Sequence, residues 1–214
     1  GLDLDYIRHL PDAQVYAFCH IHHYFYKFIY HRAPLAVHDY LVEHISYVDT
    51  GDSSYNAYSA LINGIAVCSG YTECFKTFMD MLGIENATIS GEAGGQQHIW
   101  NIVNLDNHWY HVDVTWDDPV GSSSDYIDHS YFNISADDMA LDHTWDRSRY
   151  SAYEKCGAKY SYYRYKKLPL ISNVNQLNKL IYSTVKNKTA HIEFTTTYNA
   201  DLKEAISRTG QQLS

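Results

Sequence analysis

Nowhere does the chain hold an apolar run long enough to cross a bilayer, so no membrane-spanning helix is expected. Cysteine is scarce. The four present, Cys19, Cys68, Cys74 and Cys156, are spread along the chain without a paired CxxC spacing, which argues against a disulfide framework or a zinc knuckle. Positive charge is short too. Sixteen Lys and Arg against 25 Asp and Glu leave a net charge of -9, a poor match for nucleic acid or an anionic membrane surface. The run GEAGGQQ (91–97) is followed by no GK[ST], so it is no phosphate loop, and no EF-hand calcium loop occurs. Neither a cofactor nor a metal is expected. The chain does have 45% apolar residues over 214 positions, enough for one core with a small appendage, and 21 tyrosines.

The chemistry concentrates between residues 64 and 119. Cys68 opens a predicted helix: Tyr71, Cys74, Phe75, Phe78, Met81 and Leu82 recur at helical steps, and Gly83 fits the left-handed position that stops it. A cysteine at a helix start meets unpaired amides and the positive end of the dipole, which favour a thiolate. Further on, 98–105 and 108–116 read as strands joined by Asp106 and Asn107, both tolerant of turn conformations. With a two-residue turn, His98 faces Thr115 and Asp113 faces Trp100, so His98 and Asp113 are diagonal neighbours on one sheet face. Ile99, Val103, Leu105, Val112, Val114 and Trp116 form the opposite, core face. A thiol, an imidazole and a carboxylate so placed suit nucleophilic catalysis: His98 takes the thiol proton, and Asp113 fixes the ring and stabilises its charge. His111, on the same face two residues before Asp113, is a rival base.

The runs VCSGYTECFKTFMDMLGI, HIWNIV and WYHVDVTWDDP carry these residues. HDYLVEHISY and SYNAYSALINGIAVC lie upstream of them, YFNIS and DHTWD downstream. Together, over 37–146, they resemble the transglutaminase-like superfamily of papain-type cysteine acyl-transferases, its bacterial members most. The resemblance implies Cys68 as nucleophile, His98 as general base and Asp113 as orienting acid. It also implies an α+β fold, with a helical N-terminal part and the nucleophile helix packed on an antiparallel sheet. Two departures stand out. Ile99 occupies a place where Ala often follows the histidine. No Trp precedes Cys68, so the oxyanion-stabilising Trp of animal transglutaminases has no counterpart; Tyr55, Asn56, Tyr58 and Asn63 are candidates for the donor beside the Cys68 amide.

The catalytic domain is expected over 1–168, followed by a small helix-strand-helix extension over 169–214. A first helix is predicted over 12–29. Its CHIHH run sets Cys19 and His23 one turn apart, and reads as exposed helix residues because no further ligands can be named. Pro34 starts a second helix with Val37, Tyr40, Leu41, His44, Ile45 and Val48 on its apolar stripe. A first strand is expected over 85–90 and a flexible loop over 91–97, where Gln96 and Gln97 either meet substrate amides or face solvent. After a mobile loop at 121–125 come a short strand (131–134) and a short helix (137–141). YSYYRYKK (160–167) reads as a strand of alternating tyrosines. The tail carries a helix (176–185), a strand (190–198) and a second helix (200–207).

The activity these readings imply is formation of a thioester from a peptide or protein carboxamide. Water as acceptor makes a protease or deamidase, and a lysine amine makes a cross-linking transglutaminase. Hydrolysis is favoured, because no second-substrate amine site is recognisable. From another class comes a non-catalytic peptide- or glycan-binding module on the same fold, and a third reading is an acetyltransferase or glycan-releasing relative. The expected partner is a protein or peptide, with the protein extracellular or at the cell surface. The chain begins GLDLDYIRHL without Met and looks trimmed, so that no signal peptide is in view says little about its destination.

Overall fold

Pro34 stands in the first turn of a helix, α1 (Ala33–His44), where its missing N–H costs no hydrogen bond. It is the first helix in a computed structural model that describes residues 32–51, 54–118, 127–157, 159–188 and 192–196. The predicted helix over 12–29 with its CHIHH run, the loop at 121–125 and the helix over 200–207 lie outside the described residues. α1 buries Ala33, Pro34, Val37, His38 and Leu41. Val48, expected on the same stripe, lies past the helix end and is exposed. A short parallel pair, β1 (Ser46–Tyr47) with β2 (Ile65–Ala66), closes the segment between α1 and the next helix, which includes a π-helical turn at Ser59–Asn63.

α2 (Cys68–Met81) begins directly after β2, with Val67 still extended as its cap residue. It buries Tyr71, Cys74, Phe75 and Phe78 as the helical spacing predicts, together with Met79. Met81 is only half-buried, because the stripe runs along residues 71, 75 and 79 rather than drifting to 81 and 82. Gly83 adopts φ 68° and stops the helix.

α2 packs on a five-stranded antiparallel sheet. Its strands are β3 (Asn86–Ala93), β4 (Gln96–Leu105), β5 (His108–Val112), β6 (Phe132–Ile134) and β7 (His143–Trp145), in the order β6-β5-β4-β3-β7. A short helix, α3 (Ala136–Met139), lies between β6 and β7, capped by the Ser135 side chain. Two polar bonds rivet α2 to the sheet: Thr72 Oγ1 donates to the Ile99 carbonyl, and Asn101 Nδ2 donates to the Thr72 carbonyl, each at 3.0 Å. The fold is α+β, with the helix that starts at Cys68 packed on an antiparallel sheet.

The β4–β5 turn is Asp106 and Asn107, at φ 55° and 58°, as a two-residue hairpin of this hand requires. Asn101 pairs with Val112 and Ile102 with His111, the register that sets Asp113 opposite Trp100. Three expectations change. β5 ends at Val112, and 113–116 turn rather than extend. Residues 91–97 are not a loop: β3 and β4 pair through Ala93 and Gln96, with Gly94 and Gly95 at positive φ as the turn. Gly91 reads as a loop residue but serves close approach in a strand, since a Cβ there would lie 2.1 Å from the Thr144 carbonyl oxygen of β7. Finally, the face carrying His98 and Asp113 is not open. Trp100 and Ile102 on that face are fully buried, so the sheet is covered on both sides.

The chain divides into two compact units, 1–162 and 163–214. Residues 160–167 are not a strand; they hold a turn and a short helix, α4 (Tyr162–Tyr165), with Tyr162 its buried residue. Tyr160 and Tyr162, like Tyr163 and Tyr165, are two apart as in a strand, but Tyr162 and Tyr165 are three apart as in a helix, which is why the pattern misled. In the second unit, β8 (Leu170–Ile171) precedes α5 (Val174–Lys186), which the Asn173 side chain caps. β8 pairs in parallel with β9 (Thr195–Thr196). Ile171 and Leu177 form the small core there, with Leu180, Ile181 and Phe194 packed on it.

Candidate active site

Cys68 is the first residue of α2, so its position follows from where that helix starts. The amides of Gly70 and Tyr71 both bond to the Val67 carbonyl. Those of Cys68 and Ser69 precede them in the first turn, where N–H groups have no intrahelical acceptor. Across from this turn lies the β4 end carrying His98. Its ring hydrogen-bonds with the Cys68 side chain and, through Nε2, meets Asp113 Oδ2 at 2.6 Å. With Nε2 taken by the carboxylate, Nδ1 is the nitrogen left for the sulfur.

Burial works against a charged His98. The hydrogen bonds and charges of Asp113 and Cys68 outweigh it and raise the ring to about 9. Burial would likewise push the Asp113 carboxyl up, but hydrogen bonds from His143 and His98 hold it below the usual carboxylate range. Asp113 Oδ1 accepts the amides of Thr115 at 3.1 Å and Trp116 at 3.2 Å, so the turn that ends β5 is also what aims the carboxylate. The structure thus brings Cys68, His98 and Asp113 together.

The rival base is placed otherwise. His111 is buried opposite Ile102, and its Nδ1 accepts the Trp100 indole N–H at 2.9 Å. Burial first, then the charges of His143 and Arg147, lowers it to about 3, so its ring is neutral. Three of the four oxyanion candidates make hydrogen bonds elsewhere. Asn56 Oδ1 accepts the Ser59 amide, Asn63 donates to Ser59 Oγ, and the Tyr55 hydroxyl donates to Asp49. Tyr58 is exposed. Tyr47, by contrast, lies within electrostatic reach of Cys68 and was not singled out from the sequence.

Several site residues carried no sequence signal strong enough to name them. Trp116, expected in the core, instead sits half-buried beside the His98 ring, with centroids 6.2 Å apart. His143 reaches Asp113 Oδ2 with Nε2 at 3.1 Å. The DHTWD run contained it, but only the β3–β7 pairing shows where it points. The turn after Asp113 is anchored twice more: the Tyr71 hydroxyl donates to Asp118, and the fully buried His38 of α1 meets Asp117 Oδ2 at 3.0 Å. His38 Nδ1 also lies 3.0 Å from Asp39 Oδ1, which His129 Nε2 approaches to 2.8 Å. Among the described residues, two sets, His38-Asp39-His129 and His98-Asp113-His143, bring donor atoms within 4.8 Å of one another. In both, the nitrogens that converge face a carboxylate oxygen at hydrogen-bond distance, so hydrogen bonding accounts for them without an ion.

Residues 29–114, less than half of the chain, match the family model described as the transglutaminase-like superfamily. No curated protein matches the chain significantly. Among solved structures it is similar to a candidate cysteine protease from Cytophaga hutchinsonii, at 19% identity and a TM-score of 0.41, over 53% of this chain and 43% of the other. It is similar as well to a protein named as a TGase, at 15% identity and a TM-score of 0.41, over 63% of this chain and 38% of the other. The chain therefore spans less than half the length of either. Over residues 29–114, the stretch that holds Cys68, His98 and Asp113, the chain is similar to the transglutaminase-like superfamily.

Proposed function

We propose that the protein is a cysteine-dependent hydrolase acting on carboxamides of peptides or proteins through a thioester on Cys68. One observation carries this reading: a single imidazole, His98, joins a helix-start cysteine to a buried carboxylate 2.6 Å away. The Cys68 sulfur, its proton on His98, attacks the carboxamide carbon. The amides of Cys68 and Ser69 face the oxygen that takes up the negative charge. As the C–N bond breaks, His98 gives its proton to the departing amine or ammonia, leaving the acyl group on sulfur. Water then attacks the thioester while His98 takes one of its protons; the C–S bond breaks and a carboxylic acid leaves. Asp113 holds the ring in place and balances its charge through both steps.

The test is mass spectrometry of peptide mixtures incubated with the full chain. Peptide cleavage or a gain of one mass unit at a carboxamide supports hydrolysis; cross-linked peptides would redirect the reading to an amine acceptor. Cys68→Ala is expected to abolish every product while melting like the wild type, because alanine fits a helix start. Product formation by that variant would remove Cys68 from the mechanism. No product from the wild type on any peptide would favour the binding-module reading.

A further inference from the structure

Asp113 serves two histidines with one oxygen. Its Oδ2 lies 2.6 Å from His98 Nε2 and 3.1 Å from His143 Nε2, while Oδ1 is occupied by the amides of Thr115 and Trp116. The carboxylate is saturated. His143 is buried, and its remaining nitrogen, Nδ1, lies 2.6 Å from Asp142 Oδ1. The other oxygen of Asp142 accepts the Tyr131 hydroxyl at 2.6 Å. Both ring nitrogens of His143 therefore face carboxylate oxygens, and only a ring protonated at both can donate to both.

The two rings stand 5.7 Å apart, close enough for a charge on one to be felt by the other through a buried medium. The titratable groups facing His143 are His98 from β4, His111 from β5, Asp113 and Tyr131 from the segments flanking the sheet, and Asp142 beside it. A histidine kept only for packing has no need of a carboxylate already in use. This one draws on the very oxygen that supports the His98 proton.

We propose that His143 is a positioning residue of the reaction, pinning the Asp113 oxygen that His98 uses and setting the alkaline limit of the Cys68–His98 ion pair by competing for that carboxylate. This rests on reading Cys68, His98 and Asp113 as the reacting groups. Removing the competing cation leaves Asp113 wholly to His98, which then keeps its proton to higher pH. Placing β7 at the sheet edge beside Gly91 is what brings His143 there.

Alkylation by iodoacetate tests it without any substrate. The anionic reagent needs the thiolate and is favoured by a neighbouring imidazolium, so an ion pair gives a bell-shaped rate against pH, read by mass spectrometry of the Cys68 peptide. His143→Gln keeps a neutral donor for Asp113 and removes the cation. Its alkaline edge is expected about one pH unit above that of the wild type, with the maximal rate within about threefold. His143→Ala loses the donor as well, so its edge moves the same way while the maximal rate falls about tenfold. An edge unmoved or lowered in a folded His143→Gln variant, beside a normal wild-type bell, overturns this proposal alone. A wild type with a single alkaline rise overturns the ion-pair reading and this proposal with it. Should neither variant fold, nitrogen NMR of the wild type decides. Both ring nitrogens of His143 are expected to be protonated where alkylation is fastest, and a ring with one bare nitrogen there overturns the proposal.

Discussion

At the scale of residues, the chemistry turns on where one proton sits. His98 is largely buried, which alone would strip its charge, yet Asp113 and Cys68 hold its proton up to about 9. On the proposed mechanism, activity is therefore expected to decline as pH rises through about 9, because the ring loses the proton it must give to the leaving amine. Asp113→Asn removes the counter-charge while keeping the shape. It is expected to lower the alkaline edge and to cost on the order of ten- to a thousandfold in turnover, less than in a serine triad because a thiol ionises more readily than a hydroxyl. A pH–rate profile of the variant checks both. An unchanged edge with full turnover would detach Asp113 from the reaction. Much of this was legible beforehand, since residue types and the 2-residue period of a strand place His98 and Asp113 on one face. His143 was not, because a histidine in a three-residue edge strand has no periodicity to reveal its direction.

At the scale of elements, the turn after Asp113 is where separate parts of the chain are tied together. α2 reaches it through Tyr71 and Asp118, and α1 through His38 and Asp117. His38 is fully buried, and burial alone would lower it. The carboxylates of Asp117 and Asp39 outweigh that and raise it to about 9 from its ordinary 6.5. A raised folded value means that this stabilisation is fully present below 6.5 and is lost as pH rises through about 9. His38→Leu leaves Asp117 buried without its partner and is expected to cost about 3–5 kcal/mol at neutral pH, with the gap from the wild type narrowing above about pH 9. Thermal melts across that range measure it, and a gap independent of pH would mean that His38 merely fills space. From the sequence α1 was visible as a helix with an apolar stripe. That the histidine on its buried face would be His38, and that His44 of the expected stripe would be exposed, was not, because burial of a polar ring depends on partners some 80 residues away.

At the scale of the whole molecule, Cys68, His98 and Asp113 all lie in the first compact unit, while the second rests on its own small apolar cluster. Leu177→Ala removes one of the two buried anchors of that cluster and is expected to cost that unit about 2–5 kcal/mol. Cys68 alkylation should keep its rate and pH profile. Hydrogen exchange resolved by peptide reads the loss of protection in 163–188 alongside the alkylation assay. A changed alkylation profile would show that the second unit contributes to the site.

Local order in the chain was enough to determine the start of α2 at Cys68, its stop at Gly83, the Asp106-Asn107 turn and the shared face of His98 and Asp113. Each depends on neighbours within a few positions: a helical stripe, a left-handed glycine, a two-residue turn and alternation along a strand. Only tertiary structure decided that the Asp113 face is covered, burying Trp100 and Ile102 on it, that Trp116 stands beside the imidazole, and that His143 shares the carboxylate. It alone made Gly91 part of a strand and His111 a neutral acceptor for Trp100. These outcomes depend on which strand lies beside which and on what covers a polar group. Both are set by packing between segments far apart in the chain, where sequence spacing carries no direction.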